Sequence, residues 1–85
     1  MTDPVAALRA RIDAVDDAVL ALLGERLAIA RAIGQHKPTL GRDAEREAAV
    51  IARLRALDAT LADAVPDIWD ALFATSDAWQ RRDRG

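Results

Sequence analysis

The chain has 85 residues, 52% of them apolar and 31% charged, with a formal net charge of −2. That length allows a single domain, and the balance of apolar and charged residues excludes a disordered or membrane-embedded chain. The weak negative charge argues against bulk binding to nucleic acid or an anionic membrane, and the absence of cysteine excludes disulfides and thiolate metal sites. The single histidine, His36, leaves no histidine cluster for zinc, so no metal is expected. Alanine, leucine and arginine are abundant, and four glycines and three prolines leave few breaks, which predicts an all-α fold. Eleven of the twelve basic residues are arginine, and Lys37 is the only lysine. The first ten residues lack the long apolar run of a signal peptide, and no stretch approaches the roughly 20 apolar residues of a membrane span, so the expected location is the cytoplasm.

The first helix is predicted over about residues 3–37. Thr2 or Asp3 caps it, and Pro4 suits the first helical position, where its missing N–H is not needed. Leu8, Ile12, Val15, Val19, Leu22, Ile29 and Ile33 recur at steps of three and four, an apolar stripe along one face. Gly24 and Gly34 weaken the helix by about 1 kcal/mol each without ending it. Pro38 ends it, because proline disfavours the helical conformation of the residue before it. After a turn at Pro38–Gly41, a second helix is predicted over about 42–59, with the stripe Asp43, Glu47, Val50, Leu54 and Leu57. A third is predicted over about 63–81, with Asp63 as cap, Pro66 in its first turn and the stripe Trp69, Leu72, Phe73, Ser76 and Gln80. The tail from Arg81 to Gly85 reads as charged and frayed.

A helix of roughly 33 residues is about 50 Å long. A compact chain of this size has a diameter on the order of 30 Å. The overhanging part of the stripe would face water, which soluble monomers avoid, so the chain is predicted to form an obligate homodimer with interlaced long helices.

Polar residues interrupt all three stripes. The step after Leu22 lands on Arg26, and the same face continues through Ala30 and Ile33 to Lys37. Eleven residues return to within about 20° of one direction, so the two cations share a face roughly 16 Å apart. Asp43 and Glu47, with Arg46 beside them, stand on the second stripe, and Ser76 and Gln80 on the third. Converging inside a bundle, cations, a few carboxylates and neutral donors suit a small dicarboxylate. Each residue also has a plainer reading. Arg26 can pair with Glu47 or Asp43, and Lys37 can complement the helix dipole. Asp43 and Glu47 can be ordinary N-terminal charges. Ser76 can bond a carbonyl four residues back, and Gln80 can be a solvated end residue. Arg9 lies about 100° from Arg26 around the helix, so it is either a surface arginine or reaches a site on the partner. His36 reads as an exposed end residue.

The run Leu8-Arg9-x-x-Ile12-Asp13-x-x-Asp16, then Leu22-Leu23-x-x-Arg26, Ile33-Gly34-x-x-Lys37 and Arg42-Asp43-x-x-Arg46-Glu47, resembles the all-helical chorismate mutases of the AroQ class. The Ser76…Gln80 spacing falls where that family places it. The resemblance runs from about Val5 to Gln80 and implies an intertwined dimer of three-helix chains with two equivalent sites, each completed by one arginine from the other chain. It implies that Arg26 grips a carboxylate of chorismate, that Arg9 of the partner helps hold a carboxylate, and that Lys37 contacts a carboxylate and the ether oxygen. Gln80 would donate to the same ether oxygen, Arg46 would serve the charge network, Glu47 would accept from the ring hydroxyl, and Asp43 and Ser76 would hold substrate directly or through water. The implied reaction, chorismate to prephenate, is an intramolecular rearrangement that needs no cofactor.

Two features depart from the pattern. The Pro38–Gly41 turn is short, and Trp69 and Trp79 flank the third-helix polar residues, where they are expected to reshape the pocket. The same scaffold also serves 4-amino-4-deoxychorismate mutases and isochorismate-pyruvate lyases, and a non-catalytic helical dimer stands as a further alternative. Some small relatives are activated by a larger pathway enzyme, so an activating partner stays open.

Overall fold

The computed structural model describes residues 3–85. Thr2, the alternative cap, lies outside them. The helices are α1 (Pro4–His36), α2 (Ala44–Leu57) and α3 (Val65–Asp83), with a short 3-10 turn at Ala59–Leu61, and no strand occurs among the described residues. The all-helical reading, with a very long first helix, is what the chain adopts.

Each helix end has a local cause. Asp3 caps α1, its side chain accepting from the Val5 N–H at 2.9 Å, and Pro4 follows at the first position. Lys37 leaves the helix in an extended conformation, φ −72° and ψ 132°, as the residue before a proline must. Asp43 caps α2 by accepting from the Arg46 N–H at 3.0 Å. Asp63 does not cap α3. The chain first makes the 3-10 turn, capped by Asp58 through the Thr60 N–H, and α3 begins at Val65 with Pro66 next. Nor is the end of α3 frayed: the helix runs to Asp83, and Arg84 closes it with an N–H bond to the Gln80 carbonyl at 3.3 Å.

The bundle is elongated, 60 × 29 × 15 Å, with a radius of gyration of 16.4 Å. A compact chain of 85 residues would have about 12 Å. Only the C-terminal half of α1 packs on α3, and every described residue before Leu23 is exposed. The seven apolar stripe residues from Leu8 to Ile33 are 45–64% exposed. Less exposed positions of this half, Leu23, Leu27, Ala30 and Gly34, border the stripe and share only Ala30 with its face, and Ala30 and Gly34 meet Gln80 of α3 directly. Val50 of α2 and Val65 of α3 are the buried large apolar residues among those described, and neither is sealed completely from solvent.

α1 and α3 run parallel, in a register where residue i meets residue i+50. Arg26 reaches Ser76, Ala30 meets Gln80, and Gly34 meets Arg84. A two-pronged ion pair fastens the ends: Arg31 Nε donates to Asp83 Oδ2 at 2.7 Å and its Nη2 to Oδ1 at 2.8 Å. Arg31 and Arg82 both lie over the Trp79 ring, 4.9 and 3.6 Å from its centroid.

The hydrogen bonds from Arg31 hold the Asp83 carboxyl below its ordinary range, aided by the charges of Arg31 and Arg82 and opposed by partial desolvation. A depressed carboxyl contributes stability above its unfolded pKa and loses it as pH falls through the folded value. Wild type is therefore expected to melt a few degrees above Asp83→Asn at pH 7, with the gap closing below about pH 4. Thermal melts followed by circular dichroism check this; a gap that persists at acid pH contradicts it.

Candidate active site

The C-terminal half of α1, the start of α2 and the second half of α3 enclose an open cavity of about 300 Å³. Seven of the eight residues singled out in the sequence line it: Arg26, Lys37, Asp43, Arg46, Glu47, Ser76 and Gln80. Arg9 does not. It is exposed, 17 positions before Arg26, which at the helical rise is about 25 Å along the axis.

The plainer readings fail for several of these residues. Arg26 pairs with neither Glu47 nor Asp43; its Nη1 donates to Ser76 Oγ at 3.2 Å, and its guanidinium lies 5.7 Å from the centroid of Phe73. Ser76 makes no bond to a carbonyl one turn back. Its neighbour Thr75 does, to Ala71. Gln80 is not solvated: it is 8% exposed, and its Nε2 donates to the Ala30 carbonyl at 2.7 Å. A primary amide carries two N–H groups, so one is left uncommitted.

Gly34 makes this placement possible. A Cβ built there would lie 2.6 Å from Gln80 Cγ, closer than Cβ atoms approach their neighbours, and 3.0 Å from its Cβ, so the glutamine would have to shift. The glycine read in the sequence as a weak point of α1 is the gap that Gln80 fills.

Lys37 Nζ donates to the Gly41 carbonyl at 2.7 Å. Gly41 has a φ of +136°, a conformation that L side chains rarely adopt, so the short turn depends on glycine at that position. Lysine and turn are thus fixed to one another.

Glu47 is held by Arg42, a cavity residue that the sequence places in the family-like run without a role of its own. Arg42 Nε and Nη2 donate to Glu47 at 3.0 and 2.8 Å, and Nη2 also reaches Asp70 at 2.7 Å. These two carboxylates raise the Arg42 pKa further above its already high ordinary value. The Arg46 side chain makes no hydrogen bond among the described residues, which leaves its guanidinium available.

Asp77 is a second cavity residue not foreseen. Its Oδ2 accepts from Arg81 at 2.9 Å, whereas the buried Oδ1 has no partner among the described residues. Helical spacing in the sequence places Asp77 beside Ser76, off the stripe, so nothing marked it. Trp69 and Trp79 do not line the cavity: Trp79 is occupied with Arg31 and Arg82, and the aromatic wall is Phe73.

Four cations and three carboxylates of one chain surround the cavity: Arg26, Lys37, Arg42 and Arg46 against Asp43, Glu47 and Asp77. The charges and donors of such a lining are chemically suited to a small anion that also carries hydrogen-bond donors and acceptors. The chain matches the family described as chorismate mutase type II over residues 8–81. It belongs to that family. The family's enzymes are isomerases, in keeping with a site that offers fixed donors and no nucleophile held by a base. Comparison with curated proteins and with solved structures gives no significant match. No helix among the described residues is long and apolar enough to cross a membrane.

In this chorismate mutase-family site, Gly34→Ala should separate packing from catalysis. Alanine adds about 1 kcal/mol of helix propensity. Overpacking against Gln80 costs ~1–3 kcal/mol. The expected outcome is a small fall in melting temperature and a much larger fall in activity, because Gln80 is driven from its place. Melting and turnover of the purified variant check this; unchanged turnover would show that the Gln80 position is unimportant.

Proposed function

We propose that the protein converts chorismate to prephenate, working as a homodimer in which Arg9 of each protomer completes the other's site. The observation that carries the reading is the convergence of Lys37 and Gln80, two donors from different helices, on one cavity with Arg26. The rearrangement breaks a C–O bond and forms a C–C bond within one molecule. It requires the enolpyruvyl arm to fold over the ring, which fixed carboxylate grips bring about by restricting rotation. Arg26 and Arg46 supply those grips from one chain.

Negative charge grows on the ether oxygen as the C–O bond breaks. Lys37 and the uncommitted Gln80 N–H stabilise that charge more in the transition state than in the ground state, which is the condition for raising the rate. Glu47, oriented by Arg42, accepts from the ring hydroxyl. Ser76, already bonded to Arg26, and Asp43, which caps α2, hold the substrate's flanks.

Two quantities support the second chain. The surface is 6632 Å². A compact monomer of 9.2 kDa would expose about 4,900 Å². The excess, about 1,700 Å² per chain, falls in the range that obligate dimers bury. In addition, the cavity's formal excess is one positive charge, and a partner's Arg9 brings it to two, matching a dicarboxylate.

One observation favours a second reading. Glu47 is already neutralised by Arg42, while Asp77 keeps a carboxylate oxygen without a partner in the cavity wall. An extra acceptor of this kind suits a cationic amino group, as in 4-amino-4-deoxychorismate. Assaying the purified protein with chorismate, its 4-amino analogue and isochorismate separates the readings. Chorismate loss, followed by ultraviolet absorbance, is expected to be fastest, and Lys37→Ala should lower kcat/KM by about 10²–10³-fold. Faster turnover of the amino substrate favours the second reading, pyruvate release from isochorismate overturns both, and no turnover of any substrate leaves a non-catalytic dimer.

Complementation tests the shared site. Arg9→Ala and Lys37→Ala, each inactive alone, are expected to regain about a quarter of wild-type activity when unfolded together and refolded, since half the dimers are mixed and each has one intact site. If Arg9 serves its own chain, no mixed site is intact and no activity returns.

A further inference from the structure

We infer that Arg84, at the C-terminal end of α3, is a positioning residue for Lys37. The inference rests on the reading of Lys37 as a donor to the reacting oxygen.

Lys37 occupies a weak point of the fold. It is the first residue beyond α1, where the last carbonyls of a helix have no partner within the helix. Pro38 follows and brings no N–H of its own. A lysine there has a frayed backbone and four rotatable side-chain bonds, and a donor so loosely held stabilises a transition state poorly.

Arg84 removes that freedom. Its Nη1 donates to the Lys37 carbonyl at 2.8 Å and lies 3.4 Å from the Gly34 carbonyl. These bonds occupy carbonyls at the α1 terminus and put a cation at the negative end of its dipole. The Lys37 N–H donates to the Ile33 carbonyl at 3.1 Å, and Nζ to Gly41 at 2.7 Å. The residue is therefore fixed on both sides of its backbone and at its tip.

The other end of Arg84 is tied to the second donor. Its backbone N–H bonds to the Gln80 carbonyl at 3.3 Å. The neighbouring Asp83 is anchored to Arg31 by two hydrogen bonds. One residue thus contacts both Lys37, at the end of α1, and Gln80 on α3. Arg84 does not line the cavity, so it acts on the reaction through Lys37 and not by touching substrate.

A merely structural role would lower stability everywhere; a positioning role moves Lys37 selectively. The composition offers a reporter, because protein labelled with nitrogen-15 lysine gives one backbone amide signal, that of Lys37. Arg84→Ala is expected to speed hydrogen exchange of that amide by at least about tenfold while exchange across the rest of the chain is unchanged. It should lower kcat by roughly ten- to a hundredfold with KM within about twofold. Arg84→Lys, which retains a cation and a donor, should recover part of both effects. The inference is overturned if the Lys37 amide and kcat stay as in wild type, or if exchange rises uniformly along the chain. If wild type is active and Lys37→Ala is not, yet Arg84→Ala behaves as wild type, this inference fails alone. If wild type turns over none of the three substrates, the functional reading fails, and the Lys37 amide still decides whether Arg84 positions it.

Discussion

The site depends on α3 lying directly against the backbone of α1 at Gly34. No α1 side chain intervenes there, and the Gln80 side chain fills the space and bonds to the Ala30 carbonyl. That contact sets the parallel register in which residue i faces i+50. Ser76 then falls opposite Arg26, one turn before Gln80, and Arg84 falls at the α1 terminus, one turn after it. A one-residue slip would turn each of these side chains by about 100°. The cavity is thus a consequence of one missing methyl group as much as of the polar residues that line it.

The all-helical architecture and most of the polar lining of the candidate cavity were legible because they follow helical periodicity. Arg26, Lys37, Glu47, Ser76 and Gln80 all stand out as polar residues on otherwise apolar faces. What was not legible belongs to contacts that periodicity does not encode. The part of α1 that meets α3 includes Gly34, which has no side chain to register in an apolar stripe. Gly34 looked like a defect because its value lies in what it lets approach. Arg42 and Asp77 flank stripe positions, and their roles emerge only when α2 and α3 are placed together. The charged tail resembled a frayed end because a terminus is held by long-range partners, here Arg31, Gly34 and Lys37.

The two faces of α1 divide the work. The first stripe, from Leu8 to Ile33, stays exposed on one chain, while Leu23, Leu27, Ala30 and Gly34 hold α3. A helix used on two faces cannot be completed by a single short chain, and with so few buried apolar residues this one has little core of its own. In the proposed dimer the exposed stripe supplies that core. The same pairing carries Arg9, about 25 Å from its own chain's Arg26, to the other cavity. Stability and charge balance would then have one cause.

The lone lysine follows from the geometry at the end of α1. Arginine presents a broad planar fork that favours paired contacts to carboxylates, as Arg31 and Arg42 make here. A single oxygen in a confined cleft is better matched by a compact ammonium, which can bond to Gly41 and keep other N–H groups for a ligand. Its disadvantage is a flexible stem, and the backbone at a helix end adds to it. The chain offsets that freedom from outside: proline sets the exit conformation, the left-handed Gly41 brings a carbonyl to the ammonium, and Arg84 holds the peptide. Gln80 needs no such support, since burial and Ala30 already fix it. The asymmetry between a donor fixed by packing and one fixed by restraints explains why the tail of α3 extends past the site to Lys37.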